Sequence, residues 1–385
     1  MIYIISPINL QCYADRFNLN LLISAASNKV LAIARSIHSV SREVGIVAFP
    51  GFKQDTHIIR PPISLHQNDI PVLFGPSTRF RLMRRILNAG YFLYLAIFFF
   101  AKRDVVILYN YYPEYLLGSI WLYIFKEPVI IDIEDAPRAL DKTLSSIINR
   151  LIFPVLLLFA QKKYICASKS IAQSLSFDNF FPIYGAPLDF LNQDSKDWSH
   201  YPINVLFGGT FNADTGYDIF IEAVKILDHD SDLKGKLNFF ITGYNFDKCQ
   251  FEVLNKCINA TVNVYSDLNP ECYREVLKKT HIGLNLRNKY SEFSKTTFPS
   301  KVTEYIGSGL LLVTTDLDEI QSLLGDDACY LYGNSAEELA NLLRKISLNP
   351  NHYIAKIQRS QEKLMDNMSF NRVGNKLCKF LTSSD

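Results

Sequence analysis

Two α/β domains, each a doubly wound parallel sheet with helices on both faces, are what the 385-residue sequence predicts. Three observations predict it. Apolar strand-like runs alternate with helical patterns through both halves, as βαβ units do. A polar stretch with Pro182, Gly185 and Pro187 at its head interrupts that alternation and reads as a linker. The second half then carries two bends suited to phosphate, one after Phe207 and one before Ser300.

The length allows each domain its own core. A formal net charge of +2 argues against an electrostatic nucleic-acid binder. The 7 cysteines are scattered without a CxxC pair, which argues for reduced thiols and against a zinc site or disulfide framework. The amino-terminal Met1-Ile-Tyr-Ile-Ile lacks the basic start of a signal peptide. These features lead to the expectation of a cytoplasmic chain.

In the first half, strands are expected over 2–6, 44–48, 105–109, 129–133 and 164–167, with a helix over 27–39. Ligands of a parallel sheet collect at the carboxyl ends of its strands. The loops to watch are therefore 7–28, 110–114, 132–138 and 168–170. Asp132, Glu134 and Asp135, at the end of one strand, are the candidate catalytic carboxylates. Asp132 is the leading one, although such a cluster also serves to cap a helix.

Two stretches are unusually apolar. Residues 86–101 follow Arg79, Arg81, Arg84 and Arg85 and precede Lys102 and Arg103; residues 151–160 lie between Arg150 and Lys162. Both are shorter than the roughly 20 residues that cross a bilayer. The first reads either as a buried helix or as a face that dips into an anionic leaflet; the second reads as core.

After the linker over 192–202, a strand over 203–207 opens into the turn Gly208-Gly209-Thr210 and a helix over 217–227. Further strands over 238–242, 262–265 and 282–286 end near Gly243, Tyr265 and Arg287. Then comes Phe298-Pro-Ser-Lys-Val-Thr-Glu-Tyr-Ile-Gly-Ser-Gly309. Pro299 fits the first helical position, Gly307 and Gly309 end the helix, and the apolar run 310–313 follows as a buried strand. Ser300, Lys301 and Glu304 share one face. The helix start and Lys301 suit a phosphate, while Glu304 suits the vicinal hydroxyls of a ribose. Together they suggest a nucleotide.

These residues carry a specific resemblance. Val205-Leu-Phe-Gly-Gly-Thr, Gly216-Tyr-Asp-Ile-Phe-Ile-Glu-Ala223 and the 298–310 stretch with Val-Thr-Thr-Asp after it resemble the carboxy-terminal half of group 1 glycosyltransferases of the GT-B fold, nearest to the bacterial surface-polysaccharide branch. The resemblance implies two Rossmann-like domains facing a cleft. Residues 1–190 would bind the acceptor and 203–365 the nucleotide sugar, with 366–385 a helix returning to the first domain. The implied nucleotide-contacting set is Gly208, Gly209, Thr210, Gly243, Tyr265, Thr297, Pro299, Ser300, Lys301 and Glu304.

The resemblance further implies a hexosyltransferase with no cofactor beyond its nucleotide-sugar donor and no metal. Its acceptor would be a lipid-linked glycan, as in lipopolysaccharide synthesis, and its location the inner face of the cytoplasmic membrane. Two departures qualify this. Thr210 and Thr215 stand where many members place a diphosphate-binding Arg and Lys, and Thr296 stands where many place a Glu near the donor sugar. A nucleotide-sugar epimerase of the same fold and a non-catalytic scaffold are the alternatives.

Overall fold

The computed structural model describes residues 1–19, 25–51, 59–137, 144–188, 196–211, 213–243, 246–292, 294 and 297–383. In chain order the elements are β1 (Ile2–Ser6), α1 (Gln11–Phe17), α2 (Ala25–Ser39), β2 (Val44–Ala48), β3 (Ile63–Gln67), β4 (Ile70–Phe74), α3 (Arg81–Phe98), β5 (Val105–Tyr109), α4 (Leu116–Phe125), β6 (Val129–Ile133), α5 (Leu144–Leu158), β7 (Ala160–Cys166), α6 (Lys169–Ser174) and β8 (Phe180–Pro182). The second half continues with β9 (Ile203–Gly208), α7 (Tyr217–Asp228), β10 (Leu237–Gly243), β11 (Thr261–Ser266), α8 (Pro270–Lys279), β12 (Ile282–Asn285), α9 (Ser300–Gly307), β13 (Leu311–Thr315), α10 (Asp318–Leu324), β14 (Cys329–Leu331), α11 (Ala336–Leu348), α12 (Asn351–Met368) and α13 (Phe370–Thr382). Short 3₁₀ turns join several of them. The chain divides into unit 1, Met1–Leu188 with Thr296–Phe298 and Met368–Asp385, and unit 2, Asp189–Lys295 with Pro299–Asn367.

Unit 1 is built on an eight-stranded sheet in the order β3-β4-β2-β1-β5-β6-β7-β8. Its strands β1, β2 and β6 are buried at every residue, which is why they read as near-continuous apolar runs, with Asp132 the charged exception in β6. The order reverses between β1 and β5, which pair in parallel. Only β3 departs from the parallel pattern, forming a hairpin with β4 through Asn68 and Asp69, both at positive φ (50° and 64°). That two-residue turn matches the twist of the flanking strands. The hairpin carries no plain signal in the sequence, because the turn has no glycine and Pro71 sits inside the second strand.

The last helix, α13, closes unit 1 by packing on α2. A Cβ built on Gly374 would lie 2.0 Å from the Ser36 carbonyl oxygen, so only glycine lets the two backbones approach so closely. The Arg35 guanidinium covers the Phe370 ring at 4.6 Å. Lys163 donates to the carbonyl oxygens of Phe380 (3.3 Å) and Ser383 at the helix's carboxyl end.

Both apolar stretches are split between a buried and an exposed side. In α3 one stripe, Asn88, Phe92, Leu95 and Ala96, is buried. The other is open to solvent: Leu82, Ile86 and Phe98 are 72%, 65% and 73% exposed. The stretch read as core is also split, with Phe153 and Leu156 inside but Leu151 and Leu158 more than half exposed. Leu117, Ile124 and Phe125 of α4 are exposed too. Among the described residues, no helix is long and apolar enough to cross a membrane.

Unit 2 holds a six-stranded parallel sheet in the order β11-β10-β9-β12-β13-β14. The order reverses between β9 and β12, so their carboxyl ends flank the switch point at which such sheets take ligands. One face is covered by Phe220, Val224 and Leu227 of α7 and by Leu339 and Leu343 of α11. Alternation along β9 and β12 sends Leu206, Gly208 and Gly283 to the other face, where α9 lies. In β9 to β11 that face also carries an amide ladder: Asn238 donates to Asn204 (2.9 Å) and Asn263 donates to Asn238 (2.7 Å).

Candidate functional site

The unit 2 site is organised by Tyr305, a fully buried ring on α9. A Cβ on Gly283 would lie 2.5 Å from that ring, and a Cβ on Gly208 would lie 2.9 Å from its hydroxyl. The two glycines let the ring lie flat against β12 and β9. Consequently, the helix start and the Gly208 turn, predicted separately, sit together at the carboxyl edge. Thr242 and Tyr265 are in register with Gly208 across β10 and β11, so they share its face. A Cβ on Gly243 would strike the Gly209 carbonyl oxygen at 2.5 Å. Gly209 has φ +128°, which favours glycine, with open space above it.

Two details differ from the sequence reading. Gly209 N–H donates to the Thr242 carbonyl (2.9 Å), so that amide is engaged by the sheet rather than presented to an anion. Exposed Thr210 is the next residue of the turn. Pro299 is the N-cap rather than the first helical residue: its ψ of 91° is extended, and no side chain caps the helix.

Lys301 and Glu304 point the same way, as their spacing predicts. Lys301 Nζ donates to Glu304 Oε2 (2.6 Å) and to the Tyr273 hydroxyl (2.9 Å), and Tyr273 donates to the same Glu304 oxygen (3.0 Å). The ammonium also lies 4.6 Å over the Tyr273 ring. Lys301 and Glu304 are 34% and 35% exposed, so this triad is reachable from water. Tyr273, from α8, is a site residue that the sequence reading missed. Its position in an amphipathic helix gives no hint that it reaches across to α9.

Thr297 is the remaining member of the expected nucleotide-contacting set. It belongs to unit 1, is buried, and forms an antiparallel bridge with Asp135. Lys295 and Thr296 lie outside the described residues. A cavity of about 710 Å³ in unit 2 is lined by Lys196, Trp198, Tyr201 and Asn351. It precedes the amino end of β9 and holds none of the predicted residues.

The unit 1 cluster surrounds a lysine absent from the sequence reading. Lys29 on α2 is 3% exposed and forms a short contact with Glu134; its Nζ is 3.9 Å from Asp132 Oδ1 and donates to the Ile183 carbonyl (3.3 Å). Its spacing with Ile33 and Ile37 puts it on the buried stripe of α2, which was the available signal. Asp132 is 1% exposed and its Oδ1 has no hydrogen-bond partner. The Glu134 side chain reaches solvent, at 19% exposed. Asn110, at φ 60°, accepts from the Glu134 amide (2.9 Å) and donates its own N–H to the Asp132 carbonyl (2.7 Å), fixing the strand end. Asp135 is exposed, and its carbonyl accepts from the Tyr111 hydroxyl (2.9 Å).

Burial opposes the Lys29 charge, but the two carboxylates outweigh it and hold its pKa above the usual lysine value. Burial raises the Asp132 pKa against the pull of Lys29. It likewise pushes Glu134 up to about 7, with Lys29 again resisting. A carboxyl that changes charge near neutrality can exchange a proton under ordinary conditions. No group of residues suited to a metal ion occurs among the described residues.

Comparison with known proteins adds to this geometry. Residues 220–379 match the family model described as glycosyl transferase-like. No curated protein matches the sequence. Similar solved structures include sucrose-phosphate synthase from Thermosynechococcus elongatus, at 9% identity and TM-score 0.68, covering 98% of this chain and 97% of that one. Another is the E. coli trehalose-6-phosphate protein bound to UDP-2-fluoro-glucose, at 8% identity and TM-score 0.66, covering 100% of both chains. TarM, at 10% identity and TM-score 0.66, covers 99% of each. At such identities the likeness speaks for architecture. With its two parallel-sheet units, the chain has the GT-B fold of these glycosyltransferases.

Proposed function

We propose that the protein is a glycosyltransferase that moves a sugar from a nucleotide-diphosphate sugar to a lipid-linked glycan acceptor in bacterial surface-polysaccharide synthesis. The observation that carries this reading is the packing of Tyr305 on Gly208 and Gly283, which seats the Lys301–Glu304 face beside an open glycine turn. In this reading a ribose diol takes the place of the ammonium on Glu304, and Lys301 turns to the diphosphate. Thr210, Ser300 and the start of α9 face the same anion. As the glycosidic bond breaks, charge grows on the phosphate, and donors already aimed there bind the transition state more tightly than the ground state. Unit 1 supplies the acceptor side, through the carboxylates at the end of β6.

The exposed stripe of α3, the exposed side chains of α4 and α5, and the arginines at the start of α3 support contact with an anionic membrane surface. Arg84 is half-buried beside like charges; burial and Arg81 lower its pKa, an arrangement that an anionic headgroup would relieve.

The test is transfer of label from a panel of nucleotide sugars to a membrane extract. Lys301→Ala and Glu304→Ala should each abolish transfer while leaving the fold intact. Unchanged transfer in either variant removes the donor-site assignment. Turnover without added acceptor points to an epimerase, and nucleotide binding without turnover points to a scaffold.

A further inference from the structure

We propose that Lys29 is a positioning residue that presents Glu134, rather than Asp132, to the acceptor hydroxyl. The inference rests on the reading of sugar transfer and assigns the acceptor side of that reaction. Lys29 is held on three sides, by Asp132, Glu134 and the Ile183 carbonyl, and has almost no contact with water. Asp132 is as deeply buried as the lysine, so a substrate cannot reach it; its Oδ1, which has no hydrogen-bond partner, serves as fixed counter-charge 3.9 Å from Lys29. Glu134 is the member whose side chain meets solvent, and its backbone is locked by Asn110. The triad thus has a closed end and an open end.

Such an arrangement has a use beyond stability. Two carboxylates around one ammonium leave a formal excess of one negative charge, and the open carboxylate is where a proton from outside can settle it. In the reaction, Glu134 takes the proton of the acceptor hydroxyl, and the freed oxygen pair forms a bond to the anomeric carbon. The bond from that carbon to the diphosphate oxygen breaks, and its electron pair leaves with the nucleoside diphosphate. The groups that bear on Glu134 are Lys29 from α2, Asp132 from β6, Asp135 from the following turn, Tyr109 from β5 and Cys166 from β7. Burial keeps Tyr109 and Cys166 neutral, with their pKa values raised. Lys29 is the cation among them, so its removal should raise the Glu134 pKa.

The experiment is a pH profile of label transfer to membrane extract for the wild-type chain, Lys29→Met, Lys29→Arg and Glu134→Gln. Melting curves and titration with UDP and GDP accompany each variant. The wild-type rate should rise with pH through an inflection near 7. Lys29→Met should move that inflection upward by about one unit or more and lower the rate at pH 7 at least tenfold. Lys29→Arg should restore most of both. Glu134→Gln should lower transfer about a hundredfold or more and erase the inflection. If Lys29→Met fails to fold, Glu134→Gln and Lys29→Arg decide the matter. Wild-type transfer by Glu134→Gln, or an unmoved inflection in a folded Lys29→Met, overturns the proposal. A wild-type chain that binds neither UDP nor GDP overturns the sugar-transfer reading and this inference with it. Binding with normal transfer but no pH effect overturns the inference alone.

Discussion

Each unit places a lysine against a glutamate at the carboxyl edge of a parallel sheet, and the two pairs differ in how much water reaches them. Lys29 is 3% exposed and braced by a second carboxylate; Lys301 is 34% exposed and shares its glutamate with a tyrosine hydroxyl. A buried ion pair is costly to break and therefore fixes geometry. A half-exposed pair contributes little and opens easily. The unit 1 pair is thus suited to holding one carboxylate in a set position, while the unit 2 pair is suited to exchanging partners when a ligand arrives.

The largest expected effect breaks the buried pair. Lys29→Met should destabilise unit 1 by about 3–5 kcal/mol, because two buried carboxylates lose their cation. Denaturant unfolding followed by unit 1 aromatic fluorescence checks this, and a loss under 1 kcal/mol would make the two pairs alike. Next comes the pH dependence of that cluster. With its pKa raised to about 7 in the folded chain against 4.5 as the reference, Glu134 binds its proton more tightly when folded. Its contribution to stability is complete below pH 4.5 and is lost as pH rises through 7, on the order of 3 kcal/mol. Glu134→Gln should flatten the melting temperature across that window.

A smaller effect tests the clamp of unit 2. Gly283→Ala forces a Cβ to within 2.5 Å of the Tyr305 ring. It should cost about 1–3 kcal/mol and lower nucleotide affinity by tilting α9, as read by melting and by UDP titration. The smallest change in stability should come from Lys301→Ala, within about 1 kcal/mol, despite complete loss of transfer. A large stability loss in that variant would mean that the half-exposed pair is structural after all.

Much of the scaffold was legible in the sequence. The strands Val44–Ala48 and Val105–Tyr109 could be read directly because buried parallel strands are continuous apolar runs. The Gly208 turn and the Lys301–Glu304 face were legible because each is local in sequence. What escaped was non-local. Lys29 shares the apolar stripe of α2, but its role shows only when Glu134 is found against it, and Tyr273 acquires a role only when α8 lies beside α9. The hairpin escaped because its turn uses Asn68 and Asp69 where the common signal is glycine. The exposed stripe of α3 was half-visible: its apolar content was plain, but which residues turned outward depended on where α4 packed.

The return of α13 to α2 sets the order in which the chain can mature during synthesis. Residues 1–188 emerge from the ribosome early, yet the helix that covers α2 follows only after 189–367 have been made. The second unit is in effect an insertion that can complete its own sheet first. The first must wait, with the Ser36 side of α2 uncovered, until Phe370–Thr382 has cleared the exit tunnel.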